Sequence, residues 1–155
     1  TLKKTDPGAE LTIAGSYRRK KDDSGDIDIL LKVEDKEVYK KFIKKLDNLG
    51  YLIEELAYGD KKYNGICRMG RKGIGRRIDI MVTNPNEYPF AVLYFTGSGE
   101  FNQMMRKLAN QKGFTINEYN IEHLDSGKEV DHVFKEEKDI FDFLEMGYVE
   151  PWQRL

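Results

Sequence analysis

Cysteine occurs once in this chain of 155 residues, at Cys67. One thiol cannot close an internal disulfide or build a cysteine-based zinc site, and it fits a reducing compartment. Nowhere do about 18 apolar residues follow one another, so no membrane-spanning helix is expected. No signal peptide is recognisable. The chain opens on Thr1 rather than Met, so it reads equally well as part of a longer protein. Repeats and low-complexity linkers are missing too. An excess of one sign of charge is also lacking, with a formal net charge of −1. What is present is a 34% charged and 39% hydrophobic composition in which aromatics make up 12%. That balance marks a soluble globular chain, not a disordered one, long enough for one domain or two small lobes.

The near-neutral total hides an uneven distribution. Residues 61–77 carry seven bases (Lys61, Lys62, Arg68, Arg71, Lys72, Arg76, Arg77) and no acid. Residues 118–150 carry eleven acids and three bases. A local basic stripe can meet phosphate while the whole chain stays near neutral, although solvated charged surface explains such a run as well.

Periodicity divides the chain in two. Segments 10–15, 26–33, 51–59, 62–70 and 76–83 read as strands, the fourth interrupted by Gly65. Segment 16–21 reads as a short helix capped by Ser16. Segment 35–50 reads as an amphipathic helix with Gly50 as its stop. A short hairpin-type loop over 68–76 joins the last two strands of this half. From residue 85 the pattern turns helical, with helices over 85–97 and 98–113. Short strands are expected near 114–119 and 121–124, and a final helix over about 136–146. The expectation is an α+β protein with a β-rich first lobe, 1–84, and a smaller, helix-richer second lobe, 85–155.

The stretch "GDIDILL" (25–31) holds the first chemical signal. Asp26 and Asp28 lie two residues apart in an apolar, β-branched run, so both carboxylates share one face of a strand. Like charges side by side and partly desolvated are costly. Asp79, in "RRIDIMV", is a third carboxylate in a similar strand. If the two strands are neighbours, all three converge at one end of the sheet. Acids crowded without matching cations suggest a metal. All-oxygen donors suit Mg²⁺ or Mn²⁺ rather than zinc, and Mg²⁺ commonly shares its coordination with substrate phosphates. A lone D-x-D is more often a strand end paired with an arginine such as Arg77.

The preceding segment, "GSYRRKKDDSGDID", adds to that signal. Gly15 lets the chain turn sharply, Ser16 opens a helix whose free N–H groups suit an anion, and Arg18 and Arg19 add positive charge. A phosphate cradle, a cationic arm and two carboxylates thus fall within fourteen residues.

Taken in order, "GSYRR…SGDIDILL", "RRIDIMV", "AVLYFTGS…FN…MR…KGFTINEY" and "EKDIF…Y.EP" resemble the catalytic part of family X (beta/lambda-like) DNA polymerases. The resemblance runs from about residue 10 to residue 153. It implies a nucleotidyltransferase palm with a mixed β-sheet and flanking helices, followed by a thumb, or nucleotide-selection, lobe. By the same resemblance Asp26, Asp28 and Asp79 hold two Mg²⁺ ions, or Mn²⁺ in their place. Gly15, Ser16, Arg19, Ser24 and Gly25 serve the β- and γ-phosphates. Tyr94 and Phe95, next to the turn at Gly97, pack against sugar and base, and Asn102 meets the base edge of the incoming nucleotide. Arg106 touches the template strand. Arg77 orients the carboxylates or meets the primer backbone, and the basic stripe with Arg71 and Lys72 grips DNA. The implied partners are deoxynucleoside triphosphates and primer/template or gapped DNA, with no membrane. The implied protein is a monomer located inside the cell, in the nucleus where the source is a cellular eukaryote and otherwise in the cytoplasm.

The chain departs from the family pattern in places. Gly99 stands where one member of the family, DNA polymerase beta, carries an acid that contacts the incoming base. Met81 stands where that enzyme carries an arginine that switches partners on closing. No lyase domain and no helix-hairpin-helix segment precede the match, so either the enzyme is minimal or the chain is part of something longer. Templated synthesis, filling short gaps in repair, is the leading expectation. Template-independent nucleotidyl transfer and a non-catalytic DNA-binding module are the alternatives. The short loop over 70–75 and the pair Asn102 and Arg106 favour templated synthesis.

Overall fold

Alternating apolar and polar residues in 26–32 and 76–83 build two of the three interior strands of a five-stranded sheet. The computed structural model describes residues 9–21, 25–68, 70 and 73–155. Its first elements are β1 (Glu10–Ile13), α1 (Gly15–Arg18), β2 (Asp26–Lys32), α2 (Lys36–Asn48), β3 (Leu52–Tyr58), β4 (Lys62–Cys67) and β5 (Arg76–Thr83). There follow α3 (Tyr88–Thr96), α4 (Gly99–Gln111), β6 (Phe114–Ile116), β7 (Ile121–His123), α5 (Glu137–Phe143) and a 3₁₀ turn, Pro151–Gln153. The architecture is α+β. Two compact units are formed: one takes in the described residues of 1–14 and 23–84, the other those of 15–22 and 85–155.

In the first unit the strand order is β1-β2-β5-β4-β3. Only β2 and β5 run parallel, which makes the sheet mixed. One face is covered by α2. There Val38, Tyr39, Phe42 and Ile43 pack on Ile29, Leu31, Val33, Tyr63, Ile78 and Ile80. Asp35 caps α2 by accepting from the Glu37 N–H, and Gly50, at φ 80°, ends it. Gly65 has a packing reason for its place in β4: an added Cβ would lie 2.6 Å from the Glu54 carbonyl oxygen. With the apolar residues turned to α2, the other face of β2 and β5 carries Asp26, Asp28, Arg77 and Asp79.

The second unit is built on α3, which is buried nearly all round. Its Phe90 and Leu93 join Phe101, Met105 and Ala109 of α4 and Ile140, Phe141 and Leu144 of the last helical segment in one core. The β6–β7 hairpin closes that core with Ile116 and Ile121. Among the described residues no helix is long and apolar enough to cross a membrane.

Several element ends differ from expectation. The first strand stops at Ile13, and Gly15, at φ 67°, is itself the first residue of α1. That helix ends at Arg18 instead of Lys21, because Lys20 turns to φ 58°. The helix expected from residue 85 starts at Tyr88, after a turn over 85–87. The final helix spans seven residues, and its exit at Glu145 adopts φ 57°.

Candidate active site

Across the parallel β2–β5 pair the register sets Asp26 against Arg77 and Asp28 against Asp79. Across the antiparallel β4–β5 pair it sets Asn64 against Asp79. All five residues therefore stand on one face of the sheet. The Asn64 amide donates to Asp79 Oδ1, and Arg77 Nε donates to the same oxygen at 3.2 Å. Burial, with the Asp79 and Asp26 carboxylates next to it, holds the Asp28 carboxyl above its ordinary range, and Arg77 and Lys62 only partly oppose this.

This donor set fits a hard cation by its chemistry, since an acid crowded by two others gains most from a divalent ion with oxygen ligands. The three carboxylates do not close around one point: among the described residues no group of three acids, histidines or cysteines could enclose an ion. The geometry gives the reason. Asp26 lies exposed at the start of β2 opposite Arg77, and the Asp79 carboxylate is turned to Asn64 and Arg77. Asn64 is a site residue that sequence reading missed. Its signal lies only in the register, because the sequence of β4 shows no more than a strand broken at Gly65.

Of the expected phosphate and nucleotide residues, Gly15, Ser16, Arg19, Tyr94, Phe95, Gly97 and Asn102 lie in the second unit, and Gly25 lies in the first. Arg19 Nη1 donates to the Thr96 carbonyl, and its Nε is buried without a partner. Gly97, at φ 68°, leaves room for that guanidinium, since a Cβ there would lie 3.1 Å from Arg19 Nη1. The Tyr94 and Phe95 rings meet edge-on with centroids 5.0 Å apart. Ser98 caps α4 by accepting from the Phe101 N–H at 3.2 Å. One turn on, Asn102 Nδ2 donates to the Tyr94 carbonyl at 2.8 Å, and the Arg106 guanidinium lies 5.5 Å from the Tyr94 ring centre. Tyr94, Asn102 and Arg106 line one shallow pocket with Phe90, Met105 and Ile116. Gly15 is buried in α1, and Gly25 faces open space. Ser24, Arg71 and Lys72 lie outside the described residues.

A strand pair bearing matched carboxylates, and a helical unit that gathers cationic and aromatic side chains, correspond to two known family models. The one described as DNA polymerase beta palm matches residues 1–85, and the one described as DNA polymerase beta thumb matches residues 91–155. The chain belongs to the DNA polymerase beta family, family X. It is 33% identical over 166 residues to DNA polymerase lambda of Rattus norvegicus, covering 96% of this chain and 29% of that protein. It is 31% identical over 170 residues to DNA polymerase lambda of Arabidopsis thaliana, covering 96% of this chain and 32% of that protein. DNA nucleotidylexotransferase of Xenopus laevis is 26% identical over 188 residues, with 37% of its length covered. The chain thus spans about a third of the length of the curated relatives it matches.

Proposed function

We propose that the chain is a DNA-directed DNA polymerase that adds deoxynucleotides to a primer 3′-hydroxyl and fills short gaps in repair. Residues 1–84 form its palm and 85–155 its thumb. The observation that carries this reading is the pairing of Asp28 with Asp79 in register on adjacent parallel strands, in a chain of this family. Asp26, Asp28 and Asp79 are the residues that would hold two divalent ions, Mg²⁺ or Mn²⁺. Such ions supply Lewis-acid charge for the attacking hydroxyl and the departing pyrophosphate.

In the reaction the primer 3′-hydroxyl loses its proton to solvent and its oxygen forms a bond to the α-phosphorus, the bond from the α-phosphorus to the oxygen bridging to the β-phosphate breaks, and pyrophosphate leaves with that oxygen. Ser16 and Arg19, with the backbone near Ser24 and Gly25, hold the β- and γ-phosphates. Tyr94 and Phe95 pack on sugar and base, and Gly97 keeps the turn beside them narrow. Asn102 leaves the Tyr94 carbonyl to meet the base edge, and Arg106 leaves the Tyr94 ring to meet the template strand. Arg77 keeps the Asp79 carboxylate aimed, and Arg71 and Lys72 meet DNA phosphate.

A second reading, template-independent transfer, is supported by the match to the nucleotidylexotransferase. Extension of a labelled primer with and without a template strand separates the two. Templated synthesis is expected, and equal extension of the single strand would transfer the assignment to terminal transfer.

A further inference from the structure

Lys20 holds its backbone at φ 58°, in the left-handed region that glycine enters freely and a lysine does not. The end of α1 imposes that conformation. The Lys20 N–H donates to the Tyr17 carbonyl at 3.0 Å, and the Lys21 N–H reaches back to the Ser16 carbonyl at 3.1 Å. Paired bonds of this kind close a helix whose left-handed position is ordinarily a glycine. A side chain is therefore kept here against the preference of the backbone.

At rest that side chain meets an indole. Lys20 Nζ lies 4.0 Å from the ring centre of Trp152, in the 3₁₀ turn Pro151–Gln153, and both residues belong to the second unit. Trp152 is 45% exposed, and Lys20 is exposed as well. A cation over a ring is held weakly in such solvated surroundings. The two arginines before it are anchored differently. Arg18 donates to Thr96 Oγ1 and to the Glu137 carboxylate, and Arg19 donates to the Thr96 carbonyl. Of three consecutive cations, Lys20 rests on the weakest partner, a ring with no hydrogen-bond acceptor to offer.

Stability alone favours glycine at this position, since a weak surface contact does little to offset a left-handed lysine. An ammonium held weakly is free to exchange to a stronger partner. Phosphate is such a partner, because a charge-assisted hydrogen bond exceeds an exposed ring contact and lysine meets phosphate as a compact point charge. We propose that Lys20 is a further nucleotide-binding residue, which leaves Trp152 for the terminal phosphate of the incoming nucleotide and so raises the preference for triphosphate over diphosphate. This deepens the proposed function and rests on the reading of the adjacent Arg19 as a phosphate contact.

Trp152 is the single tryptophan of the chain, so its emission reports the departure of the ammonium. The probes are a deoxynucleoside triphosphate and the matching diphosphate, each with Mg²⁺ and without primer. Wild-type emission is expected to change with triphosphate and to change less with diphosphate. Lys20→Gly and Lys20→Asn remove the charge and suit the left-handed backbone, so both should fold as wild type does. In both, the emission change should vanish. Triphosphate affinity by calorimetry should fall and nucleotide KM rise by about tenfold, the scale of one hydrogen bond to a charged group. Diphosphate affinity should be nearly unchanged. Trp152→Leu removes the resting partner, and its nucleotide KM should equal wild type or fall below it.

Triphosphate affinity and KM unchanged in both Lys20 variants would overturn the proposal and leave a surface contact. So would an equal loss for triphosphate and diphosphate, or a Trp152→Leu KM raised as far as in the Lys20 variants. In each of those cases, primer extension by wild type leaves the polymerase reading standing. A wild type that binds neither nucleotide overturns the proposal together with the reading of Arg19. A wild type that binds triphosphate with the expected sensitivities but extends no primer supports the role of Lys20 and sinks the polymerase reading instead.

Discussion

Asp28 and Asp79 stand directly opposite each other across the parallel β2–β5 pair. Two carboxylates placed so repel, and burial deepens the cost for Asp28, whose carboxyl is held above its ordinary range. An acid raised in the folded state binds its proton more tightly there than in the unfolded chain. Its ionisation therefore removes stability as pH rises through that range.

Asp28→Asn is accordingly expected to raise Tm in chelator-treated buffer at neutral pH, by a few degrees for a gain of about 1 kcal/mol. The gain should shrink below about pH 4, where the wild-type acid is already protonated. Added Mg²⁺ should raise Tm of wild type and have a smaller effect on Asp28→Asn. Scanning calorimetry at both pH values, with and without metal, checks this. A variant less stable than wild type at neutral pH would show that the carboxylates are not in conflict.

Asp79 is the acid that Asn64 and Arg77 hold in place. Asp79→Asn is expected to abolish primer extension, by about a thousandfold or more for loss of a metal ligand worth several kcal/mol in the transition state. Nucleotide binding should persist. Asn64→Ala should lower kcat by about tenfold, less than the hundredfold that a displacement of about 1 Å can cost. It should also shift the Mg²⁺ requirement upward. Single-turnover rates across a Mg²⁺ series provide the readout, and an unchanged requirement in Asn64→Ala would confine that amide to structure.

The sequence carried the strands and their carboxylates, because a period of two survives in "DIDILL" and "RRIDIMV" whatever the rest of the chain does. It could not carry the register that puts Asn64 beside Asp79, since β4 and β5 are joined through a loop whose length does not specify the pairing. Nor could it show that Gly15–Arg18 packs with residues beyond 85. Glu137, which accepts from Arg18 in that packing, is an acid that reads like any other in the acidic segment 118–150. Arg154 was equally invisible: an arginine near a chain end reads as solvated surface, and only its cage of Phe101, Phe141 and Tyr148 reveals it as core.

DNA affinity is expected to be weak and steeply salt-dependent, since cationic side chains that neutralise phosphates release counterions from the duplex. The log-log slope falls by about one for each phosphate that is no longer neutralised. Arg71→Ala with Lys72→Ala should flatten that slope by about two if the basic stripe is the grip. Titration of a fluorescent gapped duplex at several salt concentrations measures it. A slope equal to wild type would move the grip away from these two residues.

Under the proposed assignment, fidelity would depend on how Asn102 and Arg106 leave their resting partners. Asn102 donates to the Tyr94 carbonyl and Arg106 rests over the Tyr94 ring, so one residue holds both probes when no nucleotide engages them. Hydrogen-bond acceptors on correct base pairs occupy similar minor-groove positions, so such probes test pair shape without reading sequence. On that assignment a well-shaped pair would compensate both for leaving Tyr94, and a misshapen one would not. The selection acts through alignment, and a displacement of about 1 Å can lower the rate by about a hundredfold. Gly99 adds no side chain to this grip, and Met81 cannot act as a guanidinium switch. Discrimination then rests on few interactions, and the enzyme is expected to be moderately error-prone. Arg106→Ala should lower correct insertion by more than it lowers incorrect insertion. The measurement is single-turnover kcat/KM for matched and mismatched nucleotides on a one-nucleotide gap. Equal loss for both would mean that Arg106 only positions DNA and takes no part in selection.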